Sequence, residues 1–283
     1  MQRVIKNSLC VLFSSLLLSA CSFSFIYNNL DWWSNWYLDD YVKLTQEQQQ
    51  VFDTTFDEIH SWHRQTQLKE YYLQLTLLKG QVNGGITKND LKAHLANIRE
   101  HWFVLREKAK PQLISLIDTL SKSQRQQVID EIENVNNERI EDRDEITKEE
   151  WYKETCQERQ KEFKKWVGKL SKDQKAKICN FVKEYSSTFT HRMEYRIKWH
   201  SDFKQALIMD ITKPQYEVML TELISNPESL KSNEYISLSE KNSEILVKMF
   251  HYVLNNLTVK QRNRFNNEID DYIDDFRALE MDY

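Results

Sequence analysis

The stretch Leu257-Thr258-Val259-Lys260-Gln261 and the residues that follow it, 262–280, contain the pattern that decides the fold. The spacing of Thr258 and Gln261 is that of a capping box. The threonine hydroxyl accepts the backbone N–H three residues ahead, and the glutamine side chain returns to the backbone N–H of the threonine. Apolar side chains then recur every three or four residues, at Phe265, Ile269, Tyr272, Phe276 and Leu279. The pattern predicts an amphipathic helix with a sharp start.

The same start signal recurs along the chain at irregular intervals. A Ser or Thr follows an apolar residue and precedes Gln, Asp or Glu by three positions at Thr45, Thr87, Ser121, Thr147, Ser171 and Thr212. The irregular spacing argues against a solenoid of fixed period. The predicted helices span about 45–81, 87–119, 121–145, 147–167, 171–209, 212–225, 231–256 and 258–280, with a short helix near 29–42. Pro111 is expected to kink or divide the segment in which it lies.

Composition restricts the fold class. The 283 residues include only 4 glycines and 3 prolines, and the turns and bulges of sheet-containing folds depend on these residues. We therefore predict an all-α protein, an elongated bundle of about eight or nine helices that forms a single domain over residues 45–283. The 29% of charged residues excludes a polytopic membrane protein, and the 12% of aromatic residues excludes a disordered chain.

The N-terminus has the features of a secretory signal. Arg3 and Lys6 precede an apolar run over residues 9–18, which is too short for a stable membrane span. The run ends in Leu18-Ser19-Ala20-Cys21, which resembles the lipobox of bacterial lipoproteins. The resemblance implies that residues 1–20 are removed as a lipoprotein signal peptide and that the Cys21 thiol carries diacylglycerol. An ordinary signal peptide with a chance cysteine is the alternative.

The same resemblance implies a cellular location. Ser22, where an aspartate would favour retention in the inner membrane, implies the outer membrane, with the protein anchored through lipid on Cys21 and facing the periplasm. Removal of Arg3 and Lys6 changes the net charge from -4 to -6. A mildly acidic chain is a poor partner for nucleic acid.

Two cysteines, Cys156 and Cys179, remain in the mature chain beside Cys21. They lie about three helical turns before and after a predicted helix–helix turn at Gly168 and Ser171, so an antiparallel hairpin would bring them to similar height. A disulfide here would stabilise the protein by roughly 3 kcal/mol in an oxidising compartment. Two buried free thiols are the alternative.

An aromatic segment follows the lipobox within residues 21–44. Trp32, Trp33, Trp36, Tyr37 and Tyr41 crowd it. These rings either rest on lipid headgroups or dock the segment into the bundle. We favour docking, because Asp31, Asp39 and Asp40 suit an anionic membrane surface poorly.

Two family resemblances follow from these motifs. The run from Tyr27-Asn28-Asn29-Leu30-Asp31-Trp32-Trp33 to Thr45-x-Glu47-Gln48, with Trp62-His63-Arg64 after it, resembles an uncharacterised family of Gram-negative envelope lipoproteins, a helical domain of unknown function. That likeness implies location and fold class but no activity. The Leu-Thr-x-x-Gln starts are also similar to those of small periplasmic chaperones of the Spy and CpxP kind, which implies ATP-independent binding of unfolded clients.

Histidines adjacent to tryptophan are the candidate binding residues. The pairs are Trp62-His63, followed by Arg64, then His101-Trp102 and Trp199-His200. They either line a shared partner surface or occupy boundary positions, with Trp inward and His partly solvated. Asp57, His60 and His63 share a helical face, but a fourth ligand is lacking and Arg64 disfavours a cation, so we predict no metal site.

The sequence contains no nucleophile elbow, phosphate-binding loop, His-Glu-x-x-His or Cys-x-x-Cys motif. We therefore predict no catalytic residues and no cofactor. The leading hypothesis is a non-enzymatic outer-membrane lipoprotein that offers a helical binding or scaffold surface to a periplasmic or envelope protein. The alternatives are an ATP-independent chaperone of the envelope-stress type and a glycan- or lipid-active hydrolase.

Overall fold

The computed structural model describes residues 22–144, 146–208 and 212–281, and within them it is helical without strands. The described helices are α1 (Ser22–Asn28), α2 (Leu30–Tyr41), α3 (Gln46–Thr66), α4 (Leu68–Gly84), α5 (Lys88–Thr119), α6 (Lys122–Asp144), α7 (Lys148–Val167), α8 (Lys172–Val182), α9 (Phe189–Ile208), α10 (Lys213–Ser225), α11 (Asn233–Asn255) and α12 (Val259–Met281). A 3-10 turn, Pro227–Leu230, joins α10 to α11. The all-α, elongated bundle is confirmed.

All seven predicted capping signals stand at helix starts. The Oγ1 of Thr45 accepts the Gln48 N–H at 3.3 Å, and the Thr45 N–H donates to Gln48 Oε1 at 2.9 Å. The same reciprocal bonds begin α5, α6, α7, α8 and α12. At α10, the Thr212 N–H donates to Gln215 Oε1 at 3.2 Å. The local signal therefore determines where each of these helices begins.

Four of the capping glutamines are buried and pair across helices. In the first pair, Gln48 Nε2 donates to Gln124 Oε1 at 3.1 Å and Gln124 Nε2 donates to Gln48 Oε1 at 2.6 Å. Each amide also donates to a backbone carbonyl, Gln48 to Thr119 at 2.9 Å and Gln124 to Lys43 at 2.8 Å. This pair joins the N-termini of α3 and α6 to the end of α5.

The second pair repeats this arrangement between α8 and α12. Gln174 and Gln261 exchange amide hydrogen bonds at 3.1 and 2.8 Å. Gln174 Nε2 also donates to the Asn256 carbonyl at 3.0 Å, and Gln261 Nε2 to the Lys169 carbonyl at 2.9 Å. Every polar atom of both side chains is thereby satisfied inside the protein, which a buried amide requires.

Each glutamine pair accompanies one of two large hydrophobic cores. The first core is formed by α4, α7, α8, α11 and α12 with the start of α5, and it includes Ile178, Met249 and Ile269. The second is formed by the end of α5 with α6, α9 and α10, and it includes Ile129 and Leu220. Helix α5 spans both cores, and its 32 residues extend about 48 Å. This shared helix makes the bundle elongated.

The prediction of eight or nine helices was too low, because two breaks were missed and helix α1 was not predicted. Predicted segment 171–209 is two helices, since residues 183–188 carry the chain from the first core to the second. The Asn242 side chain satisfies both main-chain groups of Ser186, accepting its N–H at 3.1 Å and donating to its carbonyl at 2.8 Å. This tertiary bond replaces the helical bonds lost at the break.

The second missed break, at Gln67, hardly interrupts the helical hydrogen bonding. At Gln67 the helical bonds continue on both sides, from the Gln67 N–H to His63 at 2.8 Å and from the Tyr71 N–H to Gln67 at 3.1 Å. Asn29 separates α1 from α2. Pro111, in contrast, does not divide its segment, because α5 runs unbroken through it. The packing of α3, α10 and α11 along α5 outweighs the loss of one helical bond, roughly 3 kcal/mol.

The buried glutamine pairs predict an unequal response to one substitution. Gln261→Met removes both hydrogen bonds to the Gln174 amide and leaves the Lys169 carbonyl and the Thr258 N–H without their partner. We expect it to lower the free energy of unfolding by about 2–4 kcal/mol. Gln215→Met removes an exposed capping glutamine and should lower it by about 0.5–1 kcal/mol. Urea unfolding measures both values, and equal losses would contradict the role of the pair.

Candidate functional site

Helix α1 docks firmly on the bundle. Tyr27 is buried, and its hydroxyl bonds His63 Nδ1 at 2.8 Å. The Phe23 ring meets Phe276 edge-on at 5.1 Å, and Ser24 Oγ donates to Asp275 at 3.2 Å. The residues that directly follow Cys21 are therefore attached to the C-terminal helix. Cys21, the predicted lipidation site, and the predicted signal peptide, residues 1–20, lie outside the described residues.

Helix α2 does the opposite and exposes its aromatic side chains. No residue of α2 is buried, and the exposed large side chains of this region are Phe25, Ile26, Trp32, Trp33, Trp36 and Tyr37. We call these residues the aromatic surface. The Trp32 and Trp33 rings lie 4.8 Å apart, and the Trp33 and Trp36 rings 6.2 Å apart. The favoured prediction that these rings dock into the bundle was wrong for Trp32, Trp33, Trp36 and Tyr37, which are exposed. Tyr41 is half-buried, and α2 contacts α3 and α6.

A line of polar side chains joins α4 to α5, and we call it the polar seam. His101 Nε2 donates to Gln74 Oε1 at 2.7 Å, and Gln74 Nε2 donates to the His94 carbonyl at 3.2 Å. His94 Nε2 donates to Gln81 Oε1 at 2.7 Å, and Gln81 donates to Asp90 at 3.1 Å. Asp90 is the capping residue of α5, so the seam ends in the helix start.

His63 lies between two tyrosines at the other end of this region. Its Nδ1 bonds the Tyr27 hydroxyl and its Nε2 bonds the Tyr71 hydroxyl at 3.0 Å, while the Tyr71 ring contacts His101 at 4.7 Å between centroids. Burial, with the nearby His60 and His101, lowers the pKa of His63 to about 4. His63 is therefore neutral at pH 7, and both ring nitrogens are already occupied, which leaves neither for a metal ion.

Neighbouring predicted residues serve the same packing. Arg64 donates to the Leu279 carbonyl at 3.2 Å and to Asn28 Oδ1 at 2.6 Å, so it secures α1 and α12. Trp62 is half-buried, with the Lys108 ammonium 5.6 Å from its ring centroid. Trp102 is 57% exposed. The structure thus brings Trp62-His63-Arg64 close to His101, but it turns the histidines inward and Trp102 outward.

The third tryptophan–histidine pair lies elsewhere. Trp199 stacks on Phe203 of the second core at 4.9 Å, and its indole N–H donates to the Leu223 carbonyl at 2.9 Å. His200 is buried and bonds the Ile129 carbonyl at 3.0 Å. Both residues have structural partners in the second core. The three pairs therefore do not line one groove.

Cys156 and Cys179 form a disulfide between α7 and α8, with Cα atoms 5.0 Å apart. The two helices form the hairpin that the spacing requires, with the turn at Gly168 in the left-handed region at φ 75°. Gln160 Nε2 lies 3.3 and 3.0 Å from the two sulfur atoms. The disulfide closes the helical hairpin that carries Gln174.

The described residues offer neither a metal-binding cluster nor a membrane-spanning helix. No group of three or more His, Cys, Asp or Glu side chains is arranged there to hold a metal ion. None of the described helices combines the length and hydrophobicity needed to cross a bilayer.

Comparison with known families identifies the chain at the level of a family. A model of DUF6279, a family of unknown function, matches residues 40–236. The chain belongs to this family. The DUF6279 match begins at the end of α2 and stops inside α11, so α12 and its Gln261 follow the matched region. No curated protein and no solved structure matches the chain.

The His63 environment predicts a loss of stability in acid. The unfolded chain protonates this histidine near its ordinary pKa of about 6.5, whereas the folded protein resists protonation until about pH 4. Stability is therefore fully present above pH 6.5 and falls between pH 6.5 and 4. We expect the His63→Gln variant to lose about 2 kcal/mol less than the wild type between pH 7 and pH 4.

Urea unfolding at the two pH values measures this difference. His251→Gln on α11, outside the polar seam, is the control and should keep the wild-type pH dependence. If the His63→Gln variant and the wild type lose equal stability on acidification, the assignment of the acid sensitivity to His63 is wrong.

Proposed function

We propose that this protein is a non-enzymatic outer-membrane lipoprotein, anchored through Cys21, that holds an elongated helical scaffold in the periplasm for binding an envelope protein. The observation that carries the proposal is the aromatic surface, which stands about ten residues after the lipobox cysteine. Large exposed apolar patches on a folded protein mark interaction sites. Tryptophan and tyrosine also favour the membrane–water interface, where one part of the ring system is apolar and another is solvated.

The two N-terminal helices have different roles in the proposed attachment to the membrane. Because α1 is fastened to α12 through Phe23 and Ser24 and to α3 through Tyr27, a lipid on Cys21 would be connected to the body of the bundle and not to a flexible tether. The aromatic surface of α2 would supply a second point of contact with the headgroups. Two points of contact set an orientation, which a single lipid anchor does not.

The charges on α2 limit the kind of surface that it would contact. Asp31, Asp39 and Asp40 are exposed, and the Asp39 carboxylate pairs with Lys43 at 3.3 Å. Carboxylates beside the tryptophans would be repelled by an anionic leaflet. A surface rich in zwitterionic lipid suits this helix better.

Two features bear on the alternatives. Against a hydrolase that would use His63, this histidine is neutral at pH 7 and bonds two tyrosine hydroxyls. The capping glutamines that motivate the chaperone likeness have a structural use, because four of them pair inside the bundle. Of the predicted partner surface, Trp102 stays exposed on α5, so it is the residue we assign to partner contact.

The aromatic surface is tested by vesicle flotation. The mature chain with Cys21→Ser should float weakly with phosphatidylcholine vesicles, and the added substitutions Trp32→Ser, Trp33→Ser and Trp36→Ser should abolish flotation. Trp102→Ser is the matched control, since Trp102 is 57% and Trp36 56% exposed. Two outcomes would refute the membrane-contact proposal. In one, Trp102→Ser abolishes flotation and the triple tryptophan variant does not; in the other, both variants still float.

The outer-membrane location and the binding of an envelope protein are tested on the full lipidated chain. Mass spectrometry of the mature protein from outer-membrane fractions should show an acylated Cys21. Crosslinking in intact envelopes should recover a specific protein with the wild type and less of it with Trp102→Ser. A free thiol at Cys21 would refute the anchor, and recovery equal to that of an unrelated protein carrying the same lipid would refute the scaffold role.

A further inference from the structure

A cleft of about 730 Å³ lies between the two hydrophobic cores. Helices α5, α6, α7 and α11 form its walls, and the crossing segment 183–188 with the start of α9 closes one side. Five arginines line it: Arg99, Arg139, Arg143, Arg159 and Arg192. We call it the arginine cleft.

The charge of the arginine cleft is opposite to that of the chain. Only two carboxylates, Asp142 and Glu158, line it beside the five guanidinium groups, whereas the full chain has a net charge of -4. Within the described residues, Arg99, Arg139 and Arg192 form no ion pair. Like charges gathered without partners repel one another, so an anion in the cleft would relieve this repulsion.

Two further arginines have hydrogen-bond donors with no acceptor. Arg143 Nη1 and Arg159 Nε are inaccessible to solvent and make no hydrogen bond. The Arg143 guanidinium is held 5.8 Å from the ring centroids of both Trp151 and Phe189. Arginine stays charged at any physiological pH. Both side chains line the cleft and keep a donor without an acceptor among the described residues, while Arg159 Nη1 pairs with Glu162 at 2.6 Å.

The rest of the lining is mixed in character and rigid at one edge. Ser186, Ser187 and Thr188 bring hydroxyl groups to the cleft just before the N-terminus of α9. Asn242 fixes Ser186 through two hydrogen bonds. Apolar side chains, Leu95, Ile146, Trp151 and Leu246, face the same space. The cleft thus combines anion donors with an apolar wall.

We propose that the arginine cleft binds a phosphorylated small molecule, with the phosphate held by the arginines and an apolar part against Leu95, Trp151 and Leu246. A guanidinium group binds two phosphate oxygens at once, because its N–H groups match their geometry. A cluster of guanidinium groups binds a doubly charged phosphate more strongly than it binds a singly charged carboxylate. The volume is that of a small-molecule site and exceeds what an isolated phosphate fills. The crossing position between two cores is where ligand sites commonly lie.

Isothermal titration of the mature chain tests this with three probes. Dihexanoyl phosphatidic acid carries the phosphate and short acyl chains, inorganic phosphate carries the phosphate alone, and dihexanoylglycerol carries the chains alone. The double variant Arg99→Gln/Arg139→Gln removes two guanidinium groups that have no partners among the described residues. We expect it to weaken phosphatidic acid binding by at least about tenfold.

Arg264→Gln is the matched control, because Arg264 lies on α12 outside the cleft and pairs only with Glu268 among the described residues. It should change affinity by less than about twofold. Tighter binding of phosphatidic acid than of inorganic phosphate supports a ligand with both a phosphate and an apolar part. Equal binding of these two probes would overturn the proposed role of the apolar wall. No binding of either phosphate probe, equal affinity in the double variant, or equal binding of dihexanoylglycerol would overturn the proposal.

Discussion

The reciprocal glutamine pairs are the constraint on which the rest of this bundle depends. Each pair joins two helix N-termini, and each glutamine at the same time caps its own helix and binds a backbone carbonyl of a neighbouring segment. A primary amide has two donor hydrogens and an acceptor oxygen, so one side chain can serve all these partners. The local start of a helix and the tertiary position of its neighbour are thereby set by the same atoms.

This double use explains the two-core layout. The Gln48–Gln124 pair lies where α5 ends and the second core begins, and the Gln174–Gln261 pair lies where α8 and α12 enter the first core. Helix α5 connects the cores, and the break at 183–188 returns the chain from the first to the second. The arginine cleft is the space left between them, so its existence follows from a fold with two cores. The aromatic surface lies outside both cores, although α1 docks on α12 and α2 contacts α3 and α6.

Sequence reasoning reached the local features and missed those set by distant contacts. Helix starts were predictable because a capping box lies within four residues, as at Thr147 and Glu150. The pairing of Gln48 with Gln124 was not, because nothing within either motif specifies its partner 76 residues away. The break after Val182 was missed because Ile178, Phe181, Tyr185, Phe189 and Met193 continue a helical spacing across it. The run Ser186-Ser187-Thr188 was the available signal, but its stability in an open conformation depends on Asn242.

The candidate residues divide in the same way. The Trp-His pairs marked positions near the surface of a helix, but the partners decided their roles: His63 bonds two tyrosines, His200 bonds a carbonyl of the second core, and only Trp102 remains outward. Arg139 and Arg143 are four residues apart on α6, but Arg99, Arg159 and Arg192 come from three other helices, so only the folded structure brings all five together.

Amide hydrogen exchange at the helix starts tests the central role of the glutamine pairs most directly. The N-cap amides of Ser171 and Thr258 donate to paired, buried glutamines, whereas the N-cap amide of Thr212 donates to the exposed Gln215. The account predicts that the first two exchange only through openings near the global free energy of unfolding and that Thr212 exchanges far faster. Equally fast exchange at all three amides would contradict it.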